Sequence, residues 1–523
     1  MPPPSNNRPK PAPLPPAMLK KMSEARSAMA KLDFQRAASL YKEALAAHPE
    51  NAEALGALGY VYGATGRAVG KGLSLMERAL TLDPGSADIR CKIARVRMLK
   101  VEPDIALEHL LEVIAAEPRR LEALSMAAQC CEHLNQLDQA RDFAERAVAV
   151  RRNDPESNLI LAEIDSREKR FDEAKARLEK LVSKSTLPAD IHHRALTELG
   201  FVLDKTGEYE PAYEAFRKAG EEIAKTPLAA RVDSELVYKR LDAYRGRVTQ
   251  GLVDKFSGEQ FGTPAPTFLV GFPRSGTTMT EQVMAAHPSV VTSDEHPLMD
   301  RLGRALVEGA SDPLDVPRRL EELDADRARA LRSVYWEQAE TKLGHTLEDL
   351  EGKVFVDKLP LNIVDLAMIN TVFPDATVIV ALRDPRDVCL SGFMQWFVPN
   401  PAMVQLLQLD SAARFYAAVM GLYLEMKPNL TVPLLEVRYE DTVSDLEPQA
   451  RRIIDHLGLE WHEDLLQFHE KAKQRAIRTP SYAAVTEKVH TRAIARWKNY
   501  SSHFAQFQAI LTPAIEAFGY DPF

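Results

Sequence analysis

The stretch Phe268-Leu-Val-Gly-Phe-Pro-Arg-Ser-Gly-Thr-Thr278 decides the fold of the C-terminal half of the chain. Phe268 to Val270 predict a short buried strand, Gly271 to Gly276 predict a tight loop, and the apolar spacing from Thr277 onward predicts a helix. In this arrangement the N–H groups of the loop point inward, and the helix N-terminus adds partial positive charge. The stretch therefore predicts a phosphate-binding loop, and the alternative is a tight turn that binds nothing.

The loop differs from that of nucleotide hydrolases at one position. Gly271 and Gly276 have the spacing of the GxxxxGK[ST] loop, but Thr277 stands where the lysine is expected. Because that lysine contacts the β- and γ-phosphates, its replacement argues against a P-loop nucleotide kinase or hydrolase. Arg274 is the cation that the loop offers instead.

Length and composition indicate a globular protein with more than one domain. The chain has 523 residues, of which 45% are hydrophobic and 27% charged. The net charge of −9 argues weakly against nucleic acid as the main partner. The four cysteines have no metal-ligand spacing and fit a reducing compartment. Without a signal-peptide pattern or an apolar run of about 18 residues, the sequence predicts a cytoplasmic protein with no membrane span and no metal.

Residues 17–219 are predicted to form a helical repeat array after a disordered, proline-rich lead at 1–16. Small residues recur at separations of 69, 34 and 34 positions, at Ala37, Ala106, Ala140 and Ala174. Prolines recur at separations of 35, 34 and 37 positions, at Pro49, Pro84, Pro118 and Pro155. This period is typical of tetratricopeptide helix pairs, and five to six repeats are expected. Such arrays bind peptide or protein segments. An irregular helical bundle is the alternative.

The rest of the chain is predicted to be a linker followed by an α/β domain. Residues 220–266 read as a capping helix and a stiff linker. From 267 to 523 apolar strands alternate with helices, which predicts a parallel sheet. The fold class expected is an all-α solenoid followed by an α/β domain.

A second binding signal lies in Leu382-Arg-Asp-Pro-Arg-Asp-Val-Cys-Leu-Ser391. Arg383 comes at the carboxyl end of a predicted strand, where ligands bind in open α/β sheets. Ser391 follows eight residues later, and an arginine fork suits a phosphate better than a lysine does. Taken alone, the segment could also be a salt-bridged turn.

Both signals resemble one family. Pro273 to Thr278 is similar to the 5′-phosphosulfate loop of the sulfotransferases, which take a sulfuryl group from 3′-phosphoadenosine 5′-phosphosulfate (PAPS), and Arg383 and Ser391 resemble their 3′-phosphate site. The resemblance is closest to tyrosylprotein sulfotransferases and to their bacterial relatives fused to tetratricopeptide repeats, and it covers residues 268–523. It implies a P-loop NTPase-like fold, PAPS as cofactor with 3′,5′-ADP as product, and no metal. The residues that it implies for cofactor binding are Arg274, Ser275, Gly276, Thr277, Thr278, Arg383, Ser391, Tyr439, Ser481 and Arg496.

The resemblance also implies three catalytic residues, which are Arg274, Glu295 and Lys358. Glu295 lies 21 residues after Arg274 and would be the base that takes the proton of the acceptor hydroxyl. Asp294 and His296 remain alternative bases, and Glu295 could also be a surface carboxylate. Lys358, at the end of a predicted strand, would offset charge near the leaving phosphate.

Two departures from the family leave the acceptor open. Gln395 and Leu298 stand where tyrosylprotein enzymes have arginines, one of which helps to hold acidic substrate residues. The acceptor could therefore be a protein tyrosine, a carbohydrate or a lipid. The repeat region would recruit or orient the acceptor or a partner protein. The alternative function is a repeat scaffold with a vestigial sulfotransferase module.

Overall fold

The computed structural model describes residues 15–31, 33–66, 68–184, 187–472 and 490–523. The chain divides into two compact units, one ending at Leu187 and the other running from Pro188 to Phe523. Most of the proline-rich lead lies outside the described residues.

The first unit is an array of helices joined by short turns. Its described helices are α1 (Pro16–Ala30), α2 (Phe34–Ala47), α3 (Ala52–Ala64), α4 (Val69–Leu82), α5 (Ala87–Leu99), α6 (Pro103–Ala116), α7 (Leu121–His133), α8 (Leu137–Val150), α9 (Pro155–Arg167) and α10 (Phe171–Val182). The four periodic alanines are completely buried, as expected for the positions where neighbouring helices approach closely. Pro103 and Pro155 are each the first residue of a helix, where the missing N–H costs no hydrogen bond. The predicted helical repeat is confirmed.

The second unit begins with four helices: α11 (Ala189–Lys205), α12 (Tyr209–Ala224), α13 (Leu236–Tyr244) and α14 (Gln250–Val253). The repeat period places α11 and most of α12 in the repeat array, but both helices belong to the compact unit that contains the sheet. The ring of Tyr213 on α12, for example, lies 5.3 Å from that of Phe393.

A five-stranded parallel sheet forms the centre of the second unit. Its strands are β1 (Thr267–Gly271), β2 (Val290–Thr292), β3 (Val354–Lys358), β4 (Thr377–Leu382) and β5 (Leu434–Arg438), in the order β2-β3-β1-β4-β5. The central strands β3, β1 and β4 are almost entirely buried because both faces of the sheet are covered there, and β1 is buried along its whole length. The predicted parallel α/β sheet is confirmed.

Helices surround this sheet. They are α15 (Thr277–Ala285), α16 (Met299–Leu306), α17 (Val316–Glu321), α18 (Ala325–Leu343), α19 (Leu366–Val372), α20 (Pro385–Phe393), α21 (Leu409–Met426), α22 (Tyr439–Ser444), α23 (Leu446–His456), α24 (Phe468–Ala472), α25 (Ser501–Phe504) and α26 (Gln508–Ala517). A 3₁₀ turn at Pro360–Asp365 precedes α19, which begins at Leu366.

The strand order places the functional segments at one point of the sheet. β2 and β3 lie on one side of β1, whereas β4 and β5 lie on the other. The order therefore reverses between β1 and β4, and ligands bind beyond the carboxyl ends of strands at such a point. The loop after β1 carries Arg274 and the end of β4 carries Arg383, so both arginines reach it.

Candidate active site

The loop after β1 has the backbone of a tight cradle. Gly276 has a φ of 99°, and a Cβ atom there would lie 2.9 Å from Cδ2 of Tyr439. A Cβ atom on Gly271 would lie 2.6 Å from the carbonyl oxygen of Ala381. Only glycine fits these two positions, because the chain must turn close to its neighbours. Arg274 between them also has a positive φ, of 75°.

The guanidinium groups of half-buried Arg274 and buried Arg383 meet at the floor of the site. Nε of Arg274 donates to Oγ of Ser391 at 3.1 Å, and Arg383 donates to the carbonyl oxygen of Arg274 at 3.3 Å. Burial, and then the positive charge of Arg383, lower the pKa of Arg274 to about 10. Nε of Arg383 is buried and has no hydrogen-bond partner within the described part of the chain. An anion at this point would stabilise both cations and satisfy that donor.

Arg383 is oriented from two further sides. Its Nη2 donates to the carbonyl oxygen of Ala493 at 2.7 Å, and its Cζ lies 4.8 Å from the ring centre of Tyr439. Tyr439 is the first residue of α22, directly after β5. The guanidinium is therefore held in position before any ligand binds.

A buried lysine joins two carboxylates beside the loop helix. Nζ of Lys358 lies 2.6 Å from Oε1 of Glu295 and 3.0 Å from Oε2 of Glu281 on α15. Lys358 and Glu281 are both fully buried, whereas the Glu295 side chain is 30% exposed. Burial would lower the pKa of Lys358, but the two carboxylates outweigh burial and raise it. Lys358 therefore carries its charge and fixes the carboxylate of Glu295 at the edge of the site.

The turn that carries Glu295 is fixed by the neighbouring strand. Oγ of Ser293 accepts from the N–H of Lys358 at 2.9 Å and lies 3.3 Å from Oδ1 of Asp357. Tyr335 on α18 donates to the other oxygen of Asp357 at 2.9 Å. Burial raises the pKa of Asp357 to about 7, and the hydrogen bonds from Tyr335 and Ser293 oppose that rise.

The segment after residue 490 forms another wall. Asp387 on α20 accepts from the N–H groups of Ala495 and Trp497 at 2.7 and 2.8 Å. Arg496, between them, donates to Asp204 on α11 at 2.6 Å. Asp204 also accepts from the hydroxyl of Tyr500 at 2.6 Å. A side chain of α11 thus holds an arginine of this wall.

These segments enclose a cleft of about 580 Å³. The predicted site residues that line it are Arg274, Gly276, Thr277, Thr278, Glu295, Arg383, Ser391, Tyr439 and Arg496. Ser275 and Lys358 lie behind its wall and are buried. Of the three candidate bases, Glu295 lines the cleft, whereas Asp294 and His296 do not. Ser481 lies outside the described residues.

Three residues that hold parts of the cleft wall in position were not predicted from the sequence. Glu281 holds Lys358, Asp387 holds the 495–497 backbone, and Asp204 holds Arg496. Glu281 could have been noticed in the sequence, because it is a charged residue one turn into the otherwise uncharged helix α15. Asp204 had no such signal, because its partner lies 292 residues further along the chain.

Family comparisons agree with the two halves of this architecture. Residues 266–463 match the sulfotransferase family, and residues 22–87 and 94–158 match the tetratricopeptide repeat. The chain therefore combines tetratricopeptide repeats, within residues 22–158, with a domain that matches the sulfotransferase family over residues 266–463. The sulfotransferase match begins one residue before β1 and includes the loop, Glu295, Lys358, Arg383, Ser391 and Tyr439.

Two relatives extend the comparison. An uncharacterized protein of Aquifex aeolicus (strain VF5) is 24% identical over 421 residues, which cover 79% of this chain and 52% of that protein. Protein-tyrosine sulfotransferase 2 of Gallus gallus is 22% identical over 269 residues, covering 49% of this chain and 69% of that protein. The chain therefore spans about half the length of the Aquifex relative.

Among solved structures, the type IV pilus biogenesis factor PilW is similar to the chain with 18% identity. The match covers 42% of this chain and 98% of PilW, with a TM-score of 0.36. Across the described residues, no helix is both long and apolar enough to cross a membrane.

Proposed function

We propose that the sulfotransferase domain moves a sulfuryl group from PAPS to the hydroxyl of an acceptor. The observation that carries the proposal is that one cleft brings together the glycine-bounded loop, the Arg274 and Arg383 guanidiniums and the Glu295 carboxylate. A site for anions thereby stands next to a group that can accept a proton.

The residues present fit PAPS. The buried Nε of Arg383, which has no hydrogen-bond partner in the described ranges, and the lowered pKa of Arg274 both favour an anionic ligand. Arg274, Thr277, Thr278 and the loop N–H groups would hold the 5′ end, with Ser275 and Gly276 shaping the loop. Arg383 and Ser391 would hold the 3′-phosphate, and Tyr439, Ser481 and Arg496 would line the nucleotide. When bound, PAPS supplies the sulfuryl group, which passes to the acceptor oxygen while 3′,5′-ADP leaves.

The protein's own contribution centres on Glu295. Its carboxylate lines the cleft and would take the proton of the acceptor hydroxyl as that oxygen becomes a nucleophile. Lys358 holds Oε1 of Glu295 and leaves Oε2 for the acceptor. We assign Lys358 a positioning role, because it contacts two carboxylates and lies behind the cleft wall. Arg274 would stabilise negative charge that develops during transfer.

Calorimetry tests the cofactor assignment. The full chain should bind 3′,5′-ADP far more tightly than 5′-AMP, because Arg383 and Ser391 recognise the extra phosphate. The variant Arg383→Met should bring the two affinities close together. Its matched control is Arg452→Met on the exposed face of α23, which should change neither affinity. Equal binding of both nucleotides by the unmodified protein, or a preference for Mg-ATP, would contradict the proposal and favour a nucleotide kinase.

The repeat region would bring this activity to its target. Tetratricopeptide arrays present concave surfaces that bind peptide segments, so residues 1–187 would recruit the acceptor or a protein that presents it. A cytoplasmic location fits the free, buried thiols of Cys91, Cys130, Cys131 and Cys389, since adjacent and buried thiols persist in a reducing compartment.

A further inference from the structure

A second cavity of about 630 Å³ adjoins the cleft. It lies between α13, α16, α19 and the 359–365 turn, and Asp300, Leu359, Leu361 and Asn400 line both spaces. Leu359 directly follows Lys358, which holds Glu295. The second cavity therefore begins beside the group that we propose as the base.

The walls of this cavity are mainly aliphatic, and its charged and polar lining residues are Arg240, Asp300, Arg304, Asn362, Asp365 and Asn400. Its apolar lining consists of Leu236, Val237, Met299, Val307, Pro313, Leu314, Val316, Leu359, Leu361, Val364, Met368, Pro401 and Ala402. No aromatic ring is among the described residues that line it. Methionine side chains adapt their shape to a flexible chain, whereas a ring acceptor would find no ring to stack against.

One polar group without a hydrogen-bond partner among the described residues favours a ligand with an oxygen atom. Nδ2 of Asn362, which is 3% exposed, is buried and has no hydrogen-bond partner among the described residues. Asn362 lines the second cavity. The carboxylate of Asp365 in the same wall is paired with Arg240 at 2.5 Å and is not available. A buried, unsatisfied amide is costly, so a ligand oxygen within reach of Asn362 would be stabilised.

We infer that the second cavity holds the aliphatic chain of the acceptor, so that the acceptor is an alkyl-chain alcohol of the lipid type. This inference rests on the proposed sulfuryl transfer. The hydroxyl would lie at Glu295, and the chain would pass Leu359 and Leu361 into the aliphatic cavity. A carbohydrate would bury most of its hydroxyl groups against a lining that is mainly aliphatic, at the cost of their hydrogen bonds to water.

A series of straight-chain primary alcohols tests the inference with the full chain and PAPS. The value of kcat/KM should rise about fourfold for each added methylene until the cavity is filled. A flat series, with short alcohols sulfated as well as long ones, would overturn the inference and leave the proposed function standing.

Gly303 offers a way to fill the cavity from inside. It lies on α16 and lines the cavity, and a Cβ atom there would have Met368 Cε at 4.0 Å as its nearest neighbour. Gly303→Phe should abolish the chain-length dependence and leave the turnover of a short alcohol and the affinity for 3′,5′-ADP unchanged. Gly421→Phe is the matched control, since Gly421 is also a helical glycine with open space and lines neither cavity.

Direct binding separates the two proposals. Calorimetry with decan-1-ol should detect binding to the unmodified protein and to Gly421→Phe, and none to Gly303→Phe. Equal binding by all three proteins, or no binding by any, would overturn the aliphatic site. Since this measurement needs no PAPS, a failure to bind 3′,5′-ADP would count against the proposed function alone.

Discussion

At the scale of single residues, the proposed base Glu295 can be tested by one substitution. Glu295→Gln keeps the shape of the side chain and an oxygen for Lys358, but it cannot take a proton. We expect kcat to fall by roughly two to four orders of magnitude, the range for loss of a general base. The affinity for 3′,5′-ADP should stay the same, because the proposed base would act on the acceptor and not on the nucleotide.

The neighbouring residues serve as matched controls for this prediction. Asp294→Asn and His296→Gln should remain active, because neither side chain lines the cleft. Loss of transfer in one of them, with Glu295→Gln active, would reassign the base. Activity in all three variants would show that no protein base is needed.

Asp357 should make the stability of the second unit depend on pH. Burial raises the pKa of this carboxyl from 3.8 to about 7, so between these values the folded state holds a proton that the unfolded chain has lost. The stabilisation is complete below about pH 4 and is lost as the pH rises through 7. Asp357→Asn should therefore gain stability relative to the unmodified protein as the pH rises from 5 to 8, by at most about 1.4 kcal/mol per pH unit.

Tryptophan fluorescence during urea denaturation measures this effect in the second unit alone. The four tryptophans of the chain, Trp336, Trp396, Trp461 and Trp497, all lie there. A constant difference in free energy of unfolding across the pH range would show that Asp357 stays ionised in the folded protein.

At the scale of secondary structure elements, α11 should influence nucleotide binding through one side chain. Asp204 holds Arg496 in the wall of the cleft, and without it the long arginine side chain would have to be ordered by the ligand. We expect Asp204→Asn to weaken 3′,5′-ADP binding by about tenfold, the value of a hydrogen bond to a charged group. Calorimetry measures this change.

The control for Asp204 is another ion pair of the same helical region. Glu210 on α12 accepts from His503 at 2.9 Å, and its side chain is 69% exposed. Glu210→Gln should leave nucleotide affinity unchanged. An unchanged affinity in Asp204→Asn as well would show that Arg496 needs no support from α11.

At the scale of the whole molecule, the place where the chain is cut should decide whether the second unit folds. Residues 188–523 keep α11 and α12, with the stacking of His193 on Trp396 and the pairing of Asp204 with Arg496. We expect this fragment to fold and to bind 3′,5′-ADP with the affinity of the full chain. Residues 225–523 lack both helices and should melt at a lower temperature and bind the nucleotide more weakly.

Thermal melting of the two fragments, followed by tryptophan fluorescence, checks this expectation. Equal melting temperatures would show that α11 and α12 are dispensable. The 188–523 fragment also tests the repeat region: it should sulfate a small alcohol normally and lose efficiency only on an acceptor that a partner protein presents.

The sequence by itself determined the local architecture of this protein. The loop from Gly271 to Gly276, the apolar strands and the repeat period each follow from interactions between residues that are close in the chain. Glycine spacing, apolar runs and helical periodicity record such interactions directly. The arginines at the ends of β1 and β4 were also predictable neighbours, since the carboxyl ends of parallel strands share one edge.

Only the tertiary structure decided how the side chains of the site are used. Asp294 and Glu295 both have positive φ angles, of 47° and 60°, so the side-chain directions in this turn follow no helix or strand periodicity. Lys358 meets Glu281 across 77 positions of sequence, and Asp204 meets Arg496 across 292. Long-range pairs of this kind leave no periodic trace in one sequence, which is why α11 could be recognised as a repeat helix but not as a support of the cleft.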